Sequence, residues 1–270
     1  MNQALIFWFA CSGILLCYAS EHNKLVKHKK IGIFSDINKR DNQEDFFYHG
    51  IVDGGNLYAM YDGHGGHEIA QFLAEKFPDY LSKTLGSMEE RFKATFKNID
   101  NDEFVKLHKQ CGSTASVVFI KDNIAHFAHV GDSRMLLEED GKIDFVTSDH
   151  KPNRADEYIR IEDNNGLIFN KRVNGFLAVS RAFGDYGLDK RLIIAEPEYR
   201  ELSLTKKNRF LVLATDGLWD MVASEEVVGI LCAKQSRVND MNLLAKLLAG
   251  FAITRGSHDN ITVMLVDLLS

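Results

Sequence analysis

The stretch LYAMYDGHGG, residues 57–66, joins the pattern of a buried strand to a group of polar residues. Leu57 to Tyr61 is an apolar and aromatic run that favours a strand. Asp62 and His64 follow it directly, and the glycines between and after them let the backbone turn and approach other groups closely. The stretch predicts a rigid strand that carries an acid and a histidine at its end, where functional side chains are commonly held.

Acidic residues recur at the ends of other strand-like runs. They follow such a run at Asp62, Asp132 and Asp216, and they precede one at Glu44, Asp45 and Asp259. In antiparallel pairs the end of one strand lies beside the start of its neighbour. If these strands pair antiparallel, the acids meet at one edge of the sheets.

The composition is that of a globular protein with one large core. Of the 270 residues, 45% are hydrophobic and 26% are charged. The formal net charge is −6, and the basic residues concentrate only in a short stretch at 24–30. This balance argues against a nucleic-acid-binding protein, so we expect no nucleic-acid partner.

The four cysteines indicate neither zinc binding nor thiol catalysis. Cys11 and Cys17 lie in an apolar N-terminal segment, and Cys111 and Cys232 are far apart in the sequence. Only four residues separate Cys232 from Arg237, one fewer than in the Cys-x5-Arg loop of tyrosine phosphatases. We therefore exclude a thiol phosphatase.

Residues 4–19 form an apolar segment interrupted only by Ser12 and Tyr18. Its length suits a signal-peptide core and is short for a membrane span. Residues 17–19 have the small-x-small spacing of a cleavage site, although residues 1–3 carry no positive charge. We expect residues 1–20 to be a signal peptide that directs the protein to the secretory pathway or outside the cell. The alternatives are an uncleaved anchor, a buried helix or a misassigned start codon, and without a working leader the protein is cytoplasmic.

The rest of the chain alternates between strand and helix patterns. Strands are predicted at 31–34, 46–52, 57–61, 113–120, 124–130, 134–137, 143–146, 210–215 and 261–268. Helices are predicted at 67–85, 88–98, 102–109, 154–162, 224–235 and 239–254. Strands in hairpins with helices in pairs imply a sheet sandwich covered by helices. Residues 148–185 are more polar, which predicts a surface segment that affects substrate specificity.

A cluster of carboxylates requires positive charge. A single acid at a strand end is usually a solvated turn residue, so the argument rests on recurrence. Converging carboxylates repel one another unless cations lie between them. Mg²⁺ or Mn²⁺, which prefer oxygen ligands, are the natural partners. Two such ions about 3.5–4 Å apart could also hold a water as hydroxide for in-line attack.

Arg40 and His64 add two groups suited to phosphate chemistry. The planar guanidinium of Arg40 is close in sequence to Glu44 and could bind a phosphate through two hydrogen bonds. His64 has the pKa range to give a proton to a leaving alkoxide. Taken singly, Arg40 is as readily a surface ion pair and His64 a turn residue.

Seven motifs, taken in order, resemble those of the metal-dependent serine/threonine protein phosphatases of type 2C. They are RDNQED at 40–45, DGHGG at 62–66, GSTA at 112–115, VGDSR at 130–134, LAVSRAFGD at 177–185, DGLWD at 216–220 and DNIT at 259–262. The resemblance runs from about residue 29 to residue 267.

The resemblance implies an α+β fold of four layers, αββα, in which helix pairs flank a central antiparallel β-sandwich. It assigns residues 21–270 to the phosphatase domain and implies two Mg²⁺ or Mn²⁺ ions, with a third, weaker site. Residues 148–185 resemble the family's flap beside the active site.

Motif by motif, the resemblance also implies roles for the site residues. Asp62 matches the bridging metal ligand and Gly63 a carbonyl ligand. Asp216 and Asp259 match ligands of one ion, Glu44 a ligand of the other through water, and Asp45 a residue that orients a metal-bound water. Asp132 and Asp220 match the third site, Arg40 the phosphate-binding arginine and His64 the general acid.

The function implied is hydrolysis of phosphoserine and phosphothreonine in phosphorylated protein substrates, by a water bridged between two metal ions in a monomeric enzyme. A membrane partner is expected only if the N-terminal segment is an uncleaved anchor. Two alternatives stay open on the sequence. One is a phosphatase-fold binding module with weak or no catalysis, and the other is a phosphatase of small-molecule phosphoesters.

Overall fold

A computed structural model describes residues 30–234, 238 and 240–270. The predicted signal peptide or anchor at residues 1–20 lies outside these residues. No helix in the described ranges is both long and apolar enough to cross a membrane.

The described ranges contain the following strands and helices. The strands are β1 (Lys30–Asp36), β2 (Asp45–Val52), β3 (Gly55–His64), β4 (Gly112–Ser113), β5 (Ala115–Lys121), β6 (Ile124–Val130), β7 (Arg134–Glu139), β8 (Lys142–Val146), β9 (Ile168–Phe169), β10 (Arg172–Val173), β11 (Phe183–Gly184), β12 (Glu198–Ser203), β13 (Asn208–Ala214) and β14 (Ile261–Asp267). The helices are α1 (Glu68–Lys83), α2 (Met88–Asp100), α3 (Glu103–Leu107), α4 (Ala155–Asp163), α5 (Asp216–Trp219), α6 (Ser224–Lys234) and α7 (Met241–Thr254).

The strands form two antiparallel sheets and a separate small hairpin. The first sheet has the order β1-β14-β13-β7-β8. In the second sheet β3 pairs with β2 on one side and with β5 on the other, and β6 and β12 continue the sheet. Strands β4 and β11 extend it beside the end of β3. The small hairpin is β9 with β10, inside the predicted flap.

Three layers of apolar side chains show how the sheets and helices stack. Strand β3 is buried on both faces, which explains its unbroken apolar run. Leu57 and Tyr61 pack toward α1 and α2, in one core with Phe77. Tyr58 and Met60, on the opposite face of β3, pack between the two sheets.

The third apolar layer covers the other face of the first sheet. Val212 of β13 and Leu265 of β14 pack there with Leu248 of α7 and Val227 of α6. The layers therefore follow the order helices, sheet, sheet, helices. The predicted α+β fold with a central antiparallel sandwich is confirmed.

Most predicted elements are present, with small shifts at their ends. The helix predicted at 67–85 is α1, and it tolerates Pro78 inside it. The sequence patterns missed β12, an edge strand whose side chains are mostly exposed, because the six residues show no apolar run. They also missed α5, a single turn that begins at Asp216.

Candidate metal centre

The strand ends predicted to carry acids meet at one edge of the sandwich, around a cavity of about 240 Å³. Its lining includes Arg40, Glu44, Asp62, Gly63, His64, Asp132, Asp216 and Asp259. Asp62 stands near the end of β3, Asp132 after β6 and Asp216 after β13, whereas Glu44 and Asp259 stand before β2 and β14. The antiparallel topology therefore brings these acids together, as the sequence predicts.

Strand pairing places Asp45 opposite Asp62. The two residues are register partners in β2 and β3. The Gly63 N–H donates to the Glu44 carbonyl oxygen at 3.0 Å. A Cβ atom at residue 63 would lie only 2.7 Å from that oxygen, so the close approach of β2 to β3 requires glycine.

Threonine hydroxyls hold the backbone around the acids. The Asp62 N–H donates to Thr114 Oγ1 at 3.1 Å, and the Thr114 N–H donates to the Asp62 carbonyl at 2.9 Å. Thr215 Oγ1 accepts from the Thr262 N–H at 3.0 Å and donates to Asp45 Oδ2 at 3.0 Å. Thr215 therefore connects the first sheet to the start of β2 in the second sheet.

Asn260 fixes the loop that precedes β2. Its Oδ1 accepts from the Glu44 N–H at 2.8 Å, while its Nδ2 donates to the carbonyls of Ile37 and Asn42, both at 3.0 Å. The side chain is buried. The loop that carries Arg40 and Glu44 is thus pinned to the residue next to Asp259.

Burial and mutual repulsion raise the pKa of several carboxyls in the cluster. The pKa values of Asp62 and Asp216 lie well above the usual range, because burial disfavours the charged form and neighbouring acids add to the effect. Burial also raises the pKa of Asp45 to about 7, although hydrogen bonds from Thr262 and Thr215 oppose the shift. The cluster is therefore unfavourable when fully ionised without added positive charge.

The groups in the cluster fit hard divalent cations. One group of lining residues, which we call the acidic wall, offers carboxylate oxygens and the backbone carbonyl of Gly63. Its acids are Glu44, Asp62, Asp132, Asp216 and Asp259. Behind it, Asp45 Oδ1 is buried and has no hydrogen-bond partner among the described residues. Mg²⁺ and Mn²⁺ prefer carboxylate, carbonyl and water oxygens. Such ions would offset the repulsion between the acids.

Arg40 stands at the rim of the cavity. Its side chain is 56% exposed, and Nη2 donates to Asp259 Oδ2 at 2.7 Å. A guanidinium has five N–H donors, so this contact leaves others for a ligand. Arg40 is placed where an anion entering the cavity would meet it.

His64 is held by Asp185, a residue that the sequence patterns did not assign to the site. His64 Nε2 lies 3.0 Å from Asp185 Oδ1 and 2.9 Å from Oδ2. Gly112 makes room for the pair, since a Cβ there would lie 2.3 Å from both His64 Nε2 and Asp185 Oδ2. Asp185 has a positive φ of 54°, which aspartate tolerates better than most residues.

Asp132 carries a second unexpected contact, an ion pair with Lys151. Burial opposes the charged ammonium, but Asp132 outweighs it and raises the pKa of Lys151. Burial also raises the pKa of Asp220, with Lys151 opposing the shift and Asp132 adding to it. Lys151 therefore supplies positive charge next to the two residues matched to the third metal site.

A second group of potential ligands lies outside the lining of the cavity. His129, His150 and Glu198 bring their ligand atoms within 4.8 Å of one another. However, His150 Nδ1 accepts from the Gly131 N–H at 3.2 Å, so Nε2 carries the ring hydrogen and faces Glu198. Glu198 also accepts from Arg154 at 3.1 Å. The Gly131 contact occupies the Nδ1 lone pair of His150, and the buried Nε2 makes no hydrogen bond with the described residues.

Most of the predicted site residues line the cavity, and two lie just outside its lining. Asp45 is buried opposite Asp62 in the neighbouring strand, and Asp220 follows α5, close to Asp132. The individual roles of all the predicted site residues, as metal ligands or in catalysis, stay predictions. Asp185 ends the LAVSRAFGD motif and Lys151 follows Asp149 and His150 at the start of the flap, but neither position alone signals a contact with His64 or Asp132.

Comparison with known proteins identifies similar sequences. Residues 39–261 match the family model described as "Protein phosphatase 2C". The chain is 38% identical over 252 residues to "Probable protein phosphatase 2C 7" from Oryza sativa subsp. japonica, which covers 88% of this chain and 65% of that relative. It is 37% identical over 255 residues to "Probable protein phosphatase 2C 45" from the same organism, covering 88% of this chain and 87% of that relative.

A solved structure shares the fold. The crystal structure of serine-threonine phosphatase 2C from Toxoplasma gondii superposes with a TM-score of 0.77 at 26% identity, covering 88% of this chain and 94% of that one. The similarity in sequence and in fold therefore extends through the sandwich and the acidic edge.

Removing one carboxylate should stabilise the metal-free protein. In EDTA at about pH 7 we expect Asp216→Asn to raise the free energy of unfolding by on the order of 1 kcal/mol, the usual size for a single substitution, because it removes a buried charge that neighbouring acids repel. A carboxyl whose pKa is higher in the folded state binds more protons there, so stability falls as pH rises from the unfolded pKa through the folded one. The advantage of the variant should therefore shrink toward about pH 4. Urea unfolding across this pH range measures it.

Asp79→Asn on the exposed face of α1 is the matched control and should change little. With Mg²⁺ present the order should reverse, because the wild-type cluster gains more from the cation. An Asp216→Asn variant that is less stable at every pH without metal would contradict this account of the cluster.

Proposed function

The chain belongs to the protein phosphatase 2C family, and on that premise we propose that it hydrolyses phosphoserine and phosphothreonine in proteins with Mg²⁺ or Mn²⁺ as cofactor. The family is metal-dependent and its members are protein phosphatases. The observation that carries the proposal is the single cavity in which the acidic cluster, Arg40 and His64 meet.

In the proposed reaction the acidic wall binds the phosphate through cations, and Arg40 binds it directly. Glu44, Asp62, Asp216 and Asp259 would hold the cations, with Asp45 and the Gly63 carbonyl in support. When bound, divalent cations neutralise phosphate charge and supply an activated water. Arg40 lies at the rim and can donate two hydrogen bonds to phosphate oxygens, which orients the group and offsets charge as the bond to the leaving oxygen breaks.

In the proposed reaction His64 protonates the leaving oxygen. It lines the cavity, and Asp185 holds the ring through Nε2. The serine or threonine oxygen departs as an alkoxide, which needs a proton. The pair supports a division of roles in which His64 moves the proton and Asp185 positions the ring.

The size of the cavity supports a protein substrate over a free metabolite. At about 240 Å³ it is smaller than the ~300–1,000 Å³ pockets that enclose drug-sized ligands. A phosphoryl group on a short side chain fits inside, while the rest of the substrate lies outside. A panel of small phosphoesters, such as sugar and nucleoside phosphates, checks the alternative, and we expect lower kcat/KM for them than for phosphothreonine peptides.

We also propose that residues 1–20 direct the protein into the secretory pathway, as their apolar pattern indicates. N-terminal sequencing of the native protein measures this. The expected start lies near residue 20, and a start at Met1 or Asn2 would overturn the proposal of a cleaved signal.

Substitutions of Asp62 in the acidic cluster and of Arg40 at the rim should affect kcat and KM differently. Asp62→Asn should lower kcat by at least ~10²-fold, the usual loss for one group that stabilises developing charge. Arg40→Ala should act mainly on KM, by about tenfold or more, since a hydrogen bond to a charged group contributes ~1.5–3 kcal/mol. Steady-state kinetics on a phosphothreonine peptide with Mn²⁺ measure both.

Arg40→Lys is the matched control for the second variant, because lysine keeps the charge but loses the planar fork and should recover only part of the affinity. Full activity in Asp62→Asn would refute the assignment of the cavity as the active site.

Asp185→Asn should affect substrates according to their leaving groups. We expect kcat on a phosphothreonine peptide to fall by roughly 10–100-fold, within the ~10²–10⁴-fold that general acid–base catalysis supplies. Turnover of p-nitrophenyl phosphate should fall much less, because its leaving group departs without a proton. Equal losses on both substrates would mean that Asp185 acts only on the fold.

A further inference from the structure

The predicted flap presents three large apolar side chains to solvent beside the cavity. Leu167, Phe169 and Phe176 are 73%, 66% and 72% exposed. They belong to the segment built around the hairpin β9–β10, and we call them the flap patch. Large apolar groups that are exposed together usually mark a binding surface.

Backbone contacts bring the three residues together. Leu167 N–H donates to Asn174 Oδ1 at 2.8 Å, and the Asn174 N–H donates to the Leu167 carbonyl. A Cβ at Gly175 would lie 3.9 Å from Phe169 Cδ1, so the Phe169 ring lies near Gly175, the residue before Phe176. The three residues therefore belong to the hairpin β9–β10 and the residues that flank it.

A buried base holds the flap patch in place. Val173 and Val179 are almost fully buried in a small core with Ile161 of α4. The Phe176 N–H donates to the Val173 carbonyl at 2.9 Å, and Arg172 Nη1 donates to the Phe176 carbonyl at 2.7 Å. Because its backbone is fixed in this way, Phe176 is presented in a defined position, which lowers the entropy cost of binding.

The flap patch adjoins the catalytic cavity directly. Leu177, Ala178 and Val179, which follow Phe176, line the same cavity as the acids. A phosphorylated side chain in the cavity would therefore place the neighbouring residues of its own chain on or near Phe176. The occupant that this continuity favours is the substrate polypeptide.

We propose that the flap patch binds apolar side chains that flank the phosphorylated residue, so that phosphoserine and phosphothreonine next to large apolar residues are the preferred substrates. This inference rests on the proposed phosphatase activity. It extends that activity by naming the sequence context of the substrate.

Phosphothreonine peptides that differ only in their flanking residues test the inference. One set carries Leu or Phe on either side of the phosphothreonine, and the other carries Ser or Gly. Wild-type protein with Mn²⁺ should show a kcat/KM about tenfold higher for the apolar set, a ratio that burial of part of one large apolar side chain supplies.

Substitutions in the flap patch should remove this preference. Phe176→Ser and Phe169→Ser should lower kcat/KM for the apolar set to the level of the polar set, mainly through KM, and Phe176→Leu should retain most of the preference. Because both rings are largely exposed, the folded flap should survive the change. Turnover of p-nitrophenyl phosphate, which has no flanking residues, should stay within about twofold of wild type.

Phe251→Ser is the matched control. Phe251 is 38% exposed, and it lies on α7, which packs on the first sheet and not in the flap. It should leave the ratio unchanged. Equal kcat/KM for the two peptide sets, or a ratio that Phe176→Ser does not change, would overturn the inference.

A different occupant would also overturn it. If Phe176→Ser converts a dimer to a monomer in size-exclusion chromatography and leaves the peptide ratio intact, the flap patch is an interface between copies of the chain. Failure of the proposed function is distinguishable, because the wild-type protein would then hydrolyse neither p-nitrophenyl phosphate nor either peptide set.

Discussion

Repulsion among carboxylates at one edge of the sandwich is the constraint on which the rest of the structure depends. Asp62 and Asp216 are held where burial and the charges of neighbouring acids disfavour their ionised forms. The fold opposes this cost with two sheets packed on a shared core and with hydrogen bonds that Thr114 and Asn260 accept and Thr215 donates around the acids. A site that is costly when empty of cations is suited to bind them tightly.

The architecture follows from a visible sequence pattern, in which apolar strand runs have acids at their ends. Strand β3 is apolar on both faces because helices cover one and a second sheet covers the other, and Asp62 stands near its end. The positions of the acids relative to strands predicted their convergence, since antiparallel pairing alone brings ends and starts together. Strand β12 escaped prediction because an exposed edge strand needs no apolar pattern.

Side-chain partners across long separations were not predictable in the same way. Asp185 reaches His64 across 121 positions, and the contact depends on a glycine at 112 and a left-handed backbone at 185. Lys151 meets Asp132 because the flap segment folds back on the loop after β6. Such contacts arise from tertiary packing, whereas periodicity reports only which face of an element is buried. The cavity therefore has one wall set by strand ends and another set by the flap.

Metal-dependent hydrolysis at the acidic edge is the central claim, and turnover as a function of metal concentration tests it most directly. Phosphate release from a phosphothreonine peptide should be negligible after treatment with EDTA. It should then rise to saturation as Mn²⁺ or Mg²⁺ is added to the purified protein. Turnover that is unaffected by EDTA, or no turnover at any concentration of either ion, would contradict the account.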